Sequence, residues 1–115
     1  MNKKTITLED GQAVGWFDAD AAHLIEEGDW WNGSDRISLA TGSQWNHERL
    51  AITAKGAYII CAWSNQSGIG STNEPITAAQ AAVWLMKNET ADEEIEKLPD
   101  AIREELKKHI ADAER

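Results

Sequence analysis

Two short segments carry the side chains best suited to recognition chemistry. Gln44-Trp45-Asn46-His47-Glu48 and Trp63-Ser64-Asn65-Gln66 each join an indole to amides and other polar groups. An indole offers a large rigid contact with one N–H donor, and a primary amide both donates and accepts. Together they suit the polar groups of a sugar, a peptide or a base. Ser43, Gln44, Trp45, His47, Trp63, Asn65 and Gln66 are therefore the candidate ligand- or partner-binding residues. A packing role competes, because Trp is highly buried on average: Trp63 in the core, Trp45 under its loop and the amides on loop backbone.

Catalytic readings of the same residues fail on geometry. Adjacent strand residues point to opposite faces, so His47 and Glu48 do not form a base and its orienter with Ser43 or Cys61 as nucleophile. Cys61 falls mid-strand on the expected core face, the setting of an inert thiol. Gly68-Ile69-Gly70 lacks the Lys-Ser/Thr of a phosphate loop, and Pro75 separates it from the next helix. Placing Gly33 at the sixth position of a calcium loop puts Gly28, not an acid, at the first. His23, His47 and His109 lie on separate elements, and with one cysteine no zinc spacing exists. No catalytic residue, metal or cofactor is assigned.

These residues need a scaffold, and the centre of the chain supplies its clearest part. Segments 36–41 and 49–54 alternate apolar and polar residues, Lys55-Gly56 is a two-residue hairpin loop, and 57–63 returns. That loop makes Ala54 face Ala57, Ile52 face Ile59 and Leu50 face Cys61. Leu50, Ile52, Ile59, Cys61 and Trp63 then form the core side. With 36–41 beside 49–54, loops 41–48 and 64–74 leave the sheet at one end, which gathers the candidate binding residues on a rim. Loop 28–35 lies at the other end.

Upstream, segments 5–8 and 13–17 flank Asp10-Gly11 as a hairpin. Residues 18–28 read as a short helix capped by Asp18 or Asp20 and stopped by Gly28. Downstream, Thr77 and Gln80 form a capping box that opens a helix to about Asn88. Thr90 with Glu93 repeats that logic, and Pro99 starts a final helix. Ile95, Leu98, Ile102, Leu106, Ile110 and Ala113 keep a helical period over two to three heptads, which is short for a coiled coil and favours docking on the sheet. The expected fold class is α+β: an antiparallel sheet of three to five strands, a packed helix at about 77–88 and an amphipathic C-terminal helix at about 99–113. One domain spans 1–115, with 1–76 mainly β plus the short helix and 77–115 helical.

Composition narrows the function classes. The 115 residues carry 11 basic and 20 acidic side chains, a net charge of −9 spread over both halves of the chain. This argues against a basic nucleic-acid groove, which needs clustered Lys and Arg to displace counterions. No apolar run is long enough to span a bilayer, and Met1–Leu8 lacks the apolar stretch of a signal peptide. The expected location is cytoplasmic, and the expected state is monomer or weak homodimer. Six of the eight aromatic residues are Trp. Trp16, Trp63 and Trp84 are expected in the core and Trp45 on a loop, with Trp30 and Trp31 open. The acidic stretches Asp18 to Asp29 and Asp92 to Glu96 are either solvated faces or a surface for a basic partner.

Thr41-Gly-Ser-Gln-Trp-Asn-His-Glu48, then Thr53-Ala-Lys-Gly56 and Trp63-Ser64, resembles an uncharacterised family of small bacterial proteins. Its pattern runs TGSQWEHE, TxxG, WSQWQGS and a closing WLxxN, here Trp84, Leu85 and Asn88. The likeness covers about residues 16–88 and departs where the second Trp of WSQWQGS is replaced in Trp63-Ser-Asn-Gln-Ser-Gly68. It implies a shared fold and a common site but no reaction.

The expected function is non-catalytic binding of a protein or small polar ligand at loops 43–48 and 63–67, with no direct nucleic-acid or membrane contact. An acidic inhibitor of a basic, nucleic-acid-handling partner is the alternative, and a small enzyme comes third.

Overall fold

The densest apolar alternation folds into the central hairpin of β6 (Asn46–Ile52) and β7 (Tyr58–Ser64) in the computed structural model, which describes residues 1–115. Its loop is Ala54-Lys55-Gly56, one residue longer than expected. Thr53 N–H donates to Ala57 O at 2.9 Å, Gly56 N–H donates to Thr53 O at 2.9 Å, and Ala57 N–H donates to Thr53 Oγ1 at 3.0 Å. Gly56 sits at φ +85°, the left-handed position such three-residue loops require.

That extra residue shifts the register by one, so Leu50 faces Ile60, Ile52 faces Tyr58 and Arg49 faces Cys61. A one-residue slip reassigns side chains between faces. Leu50, Ile52, Tyr58 and Ile60 point to one side, while His47, Arg49, Ala51, Ile59, Cys61 and Trp63 point to the other. The expected single core face is therefore corrected to two.

The main sheet has the order β3 (His23–Glu26), β6, β7, β8 (Thr72–Ile76), antiparallel throughout. The helix expected at 18–28 is a single 3-10 turn, Ala19–Ala21, capped by Asp18, followed by β3. A helix this short is marginal alone, whereas pairing with Ile52 to Arg49 aligns four residues on the sheet edge and buries Ile25. β3 thus takes the place expected for 36–41. Only Arg36–Ser38 of that segment is a strand, β5, and it pairs with β4 (Asp29–Trp31) in a separate ribbon.

Three helices cover the first face. α1 (Ala78–Lys87) opens with the complete Thr77–Gln80 capping box and ends at Asn88. α2 (Asp92–Glu96) starts after Ala91 without a side-chain cap; the Thr90 hydroxyl is buried and unpartnered rather than capping. α3 (Asp100–Asp112) has Pro99 at the N-cap rather than inside the first turn. Leu50, Ile52, Trp84, Leu85, Ile95 and the fully buried Leu106 centre the larger core. No helix is long and apolar enough to cross a membrane.

The second face carries the hairpin of β1 (Lys3–Thr7) and β2 (Ala13–Asp18). Ile6 and Phe17 point inward and close a small core with Ala51 and Ile59. Alternation then turns Trp16 outward, where it is 55% exposed under the Lys3 ammonium at 4.8 Å. Trp16 is not a core residue. Trp84 is buried as expected, Trp63 is only partly buried, and Trp30, Trp31 and Trp45 are exposed.

Candidate functional site

The pairing of Asn46 with Ser64, and a hydrogen bond from Asn65 N–H to Trp45 O at 2.9 Å, bring 43–48 and 63–66 to one end of the sheet. The residues of the expected rim do assemble, although β3 rather than 36–41 flanks β6. Segment 28–35 lies beside them, not opposite. With its NH2 toward Asp35, Gln44 reaches Asp35 Oδ2 at 2.7 Å, and its oxygen then accepts from Trp45 Nε1 at 3.1 Å.

The seven residues play different parts. Ser43 Oγ accepts from the N–H groups of Trp45 (2.9 Å) and Asn46 (3.1 Å), which shapes the turn and engages the oxygen as an acceptor. Trp45 is 47% exposed, and the Gln66 side chain stands free in solvent while its N–H donates to Ser64 Oγ at 3.1 Å. His47 is the centre. Its ring stacks on Trp63 with centroids 5.5 Å apart and planes 28° from parallel.

Glu27 sets the state of that ring, and no local sequence signal marks it, because it sits in an acidic stretch that reads as a solvated face. Glu27 Oε2 lies 2.6 Å from His47 Nδ1, while Oε1 accepts from Ser38 Oγ and from Glu48 N–H, both at 2.7 Å. The chain leaves sheet pairing after Glu26, so the Glu27 carboxylate supplies the acceptor that Glu48 N–H would otherwise lack. With Glu27 accepting, Nδ1 carries the proton and Nε2 accepts from Asn65 Nδ2 at 3.1 Å, a tautomer assigned from these bonds.

A carboxylate-oriented imidazole is half of a hydrolytic relay, but here the amide occupies Nε2 and no hydroxyl or thiol hydrogen-bonds to the ring. The arrangement is a fixed line of polar groups, Glu27–His47–Asn65, against one flat aromatic. No group of three or more His, Cys, Asp or Glu is placed to hold a metal ion.

Glu48 points to the helical face and accepts from Trp84 Nε1 at 3.0 Å. Asn88 donates to Trp84 O at 2.9 Å and accepts from Gly28 N–H at 3.0 Å. Trp84, Asn88, His47 and Glu48 thus join one network behind the rim.

On the other side of Trp63, a cleft of about 550 Å³ opens between the β1–β2 hairpin and the sheet. The Arg49 guanidinium stands 4.6 Å from the Trp63 ring centroid, held there by Nε donating to both oxygens of Glu26 at 2.8 and 3.0 Å. Burial pushes the Cys61 thiol in this cleft wall above its ordinary range, with Arg49 and Lys4 pulling the other way. No protein-family model, curated protein or solved structure matches this chain.

Proposed function

We propose that this chain is a cytoplasmic, non-catalytic binding protein whose ligand, a protein segment or a small polar molecule, meets the rim at 43–48 and 63–67. The Glu27–His47–Asn65 line carries the reading. Its polar groups are held in fixed geometry beside Trp63 and the half-exposed Trp45, so little side-chain freedom remains to be lost on binding. Membership of the resembling bacterial family is part of this proposal. The Glu48–Trp84 bond supports it by joining the first and last motifs behind the rim.

The test is capture of ligand from native lysate by tagged wild type, Trp45→Ala and Gln66→Ala. Both variants are expected to lose the ligand while keeping a melting temperature within about 2 °C of wild type, as surface substitutions do. A large loss of stability with Trp45→Ala would return that residue to a packing role.

A second reading has its own support. Trp30 and Trp31 are 50% and 58% exposed on a ribbon beside Asp29 and Asp35, within a strongly acidic chain. An acidic inhibitor of a basic, nucleic-acid-handling protein would use such a surface. It predicts a complex that weakens steeply with salt and with Trp31→Ala; a salt-insensitive complex counts against it. For the third reading, a small enzyme, His47→Ala would have to abolish a measurable turnover.

A further inference from the structure

We infer that the cleft between the β1–β2 hairpin and the main sheet binds a small amphipathic organic anion, a flat apolar body ending in a carboxylate. The inference does not depend on the rim, with which the cleft shares only Trp63.

The walls divide by chemistry. Phe17, Leu24, Cys61 and Trp63 supply an apolar lining, and Lys4 and Arg49 bring the charge. Lys4 shares the inward side of β1 with Ile6, so it faces the sheet, and it makes no ion pair or hydrogen bond. Arg49 is already fixed by Glu26 and by the Trp63 ring, which leaves the two NH2 groups of its guanidinium without a hydrogen-bond partner. Asp20, the one carboxylate in the lining, lies 3.7 Å from the terminal ammonium of Met1.

The cleft has the size of a small-molecule site, and six of its twelve lining residues are hydrophobic, with Asn2, Ser71 and Asn73 adding neutral polar groups. Two cations, the unpaired Lys4 and the Glu26-bound Arg49, line one cleft of a chain whose net charge is −9. An aromatic carboxylate satisfies both kinds of group: its ring lies on Leu24, which is 46% exposed, and its head meets Lys4 and the open edge of Arg49.

The test is an amide NMR titration with 2-naphthoate and with the neutral 2-naphthalenemethanol. The acid is expected to bind saturably, with its largest shifts at Cys61, Asn73 and Phe17, and about tenfold more tightly than the alcohol. Lys4→Gln, an exposed substitution that leaves the fold intact, is expected to weaken the acid by about five- to tenfold. Lys55→Gln and Trp45→Ala are expected to leave it unchanged, so failure of the rim reading would not imitate failure here. Equal binding of acid and alcohol, an undiminished Lys4→Gln, or largest shifts around Trp16 and Lys55 would overturn the proposal.

Discussion

Glu27 Oε2 and His47 Nδ1 stand 2.6 Å apart although twenty residues separate them in the chain. One carboxylate closes the outer edge of β6, holds Ser38 and fixes the tautomer of the imidazole at the rim. Glu27→Gln keeps the shape but turns one acceptor oxygen into an NH2 that meets a donor, so it is expected to cost about 1–3 kcal/mol. Urea denaturation measures the loss, and histidine ring NMR should show the Nδ1 proton of His47 becoming labile. An unchanged midpoint would reduce Glu27 to a bystander.

Gly28→Ala tests the junction behind the rim. A Cβ at Gly28 would overlap the Asn88 carbonyl oxygen and lie 2.8 Å from Leu39 Cδ1. The backbone cannot yield without breaking the Gly28–Asn88 and Leu39–Gly28 hydrogen bonds, of 3.0 and 2.9 Å. The expected loss is about 2–3 kcal/mol, read by chemical denaturation.

Two tryptophans should separate cleanly. Trp84 is 7% exposed and donates to Glu48, whereas Trp45 is 47% exposed. Trp84→Ala is expected to cost about 3–5 kcal/mol, and Trp45→Ala under about 1 kcal/mol. Comparable losses would mean that Trp45 packs as part of the core.

Tyr58 gives a pH signature, since it is the only tyrosine in the chain. Burial, then the hydrogen bond it donates to Glu105 at 2.8 Å and that carboxylate's charge, push its ionisation far above the usual tyrosine range. The unfolded phenol loses its proton near pH ~10 while the folded one keeps it. The stabilisation is therefore complete below that pH and is lost as pH rises beyond it. Absorbance titration should show no tyrosinate until well above the normal midpoint. Tyr58→Phe should flatten the alkaline fall in stability.

The particular residues show what could be read from sequence and what could not. The Thr77–Gln80 box, the α3 stripe and the Asp10-Gly11 hairpin rest on contacts within a few residues, and these were legible. The main hairpin register depended on whether the loop held two residues or three, and Gly56 fits either. His23 to Glu26 has too few residues to decide between helix and strand; its partner, 49–52, lies far along the chain and decides for it. The rim was legible because a one-residue slip, which would set 46 opposite 65 instead of 64, still leaves both loops at the same end of the hairpin. Glu27 was not, because its partners lie 11, 20 and 21 residues away.

The unequal cores on the two faces of the sheet set an order of opening. Twelve buried residues anchor the helices, but only four hold the β1–β2 hairpin, two of them in the sheet itself. The hairpin layer is therefore expected to be the first cooperative unit to release, with the sheet and helices still assembled. Its amides should exchange with deuterium through a sub-global opening, faster than those of β6 and β7. In that partly open form Ala51 and Ile59 meet water, and the wall bearing Cys61 becomes reachable without global unfolding.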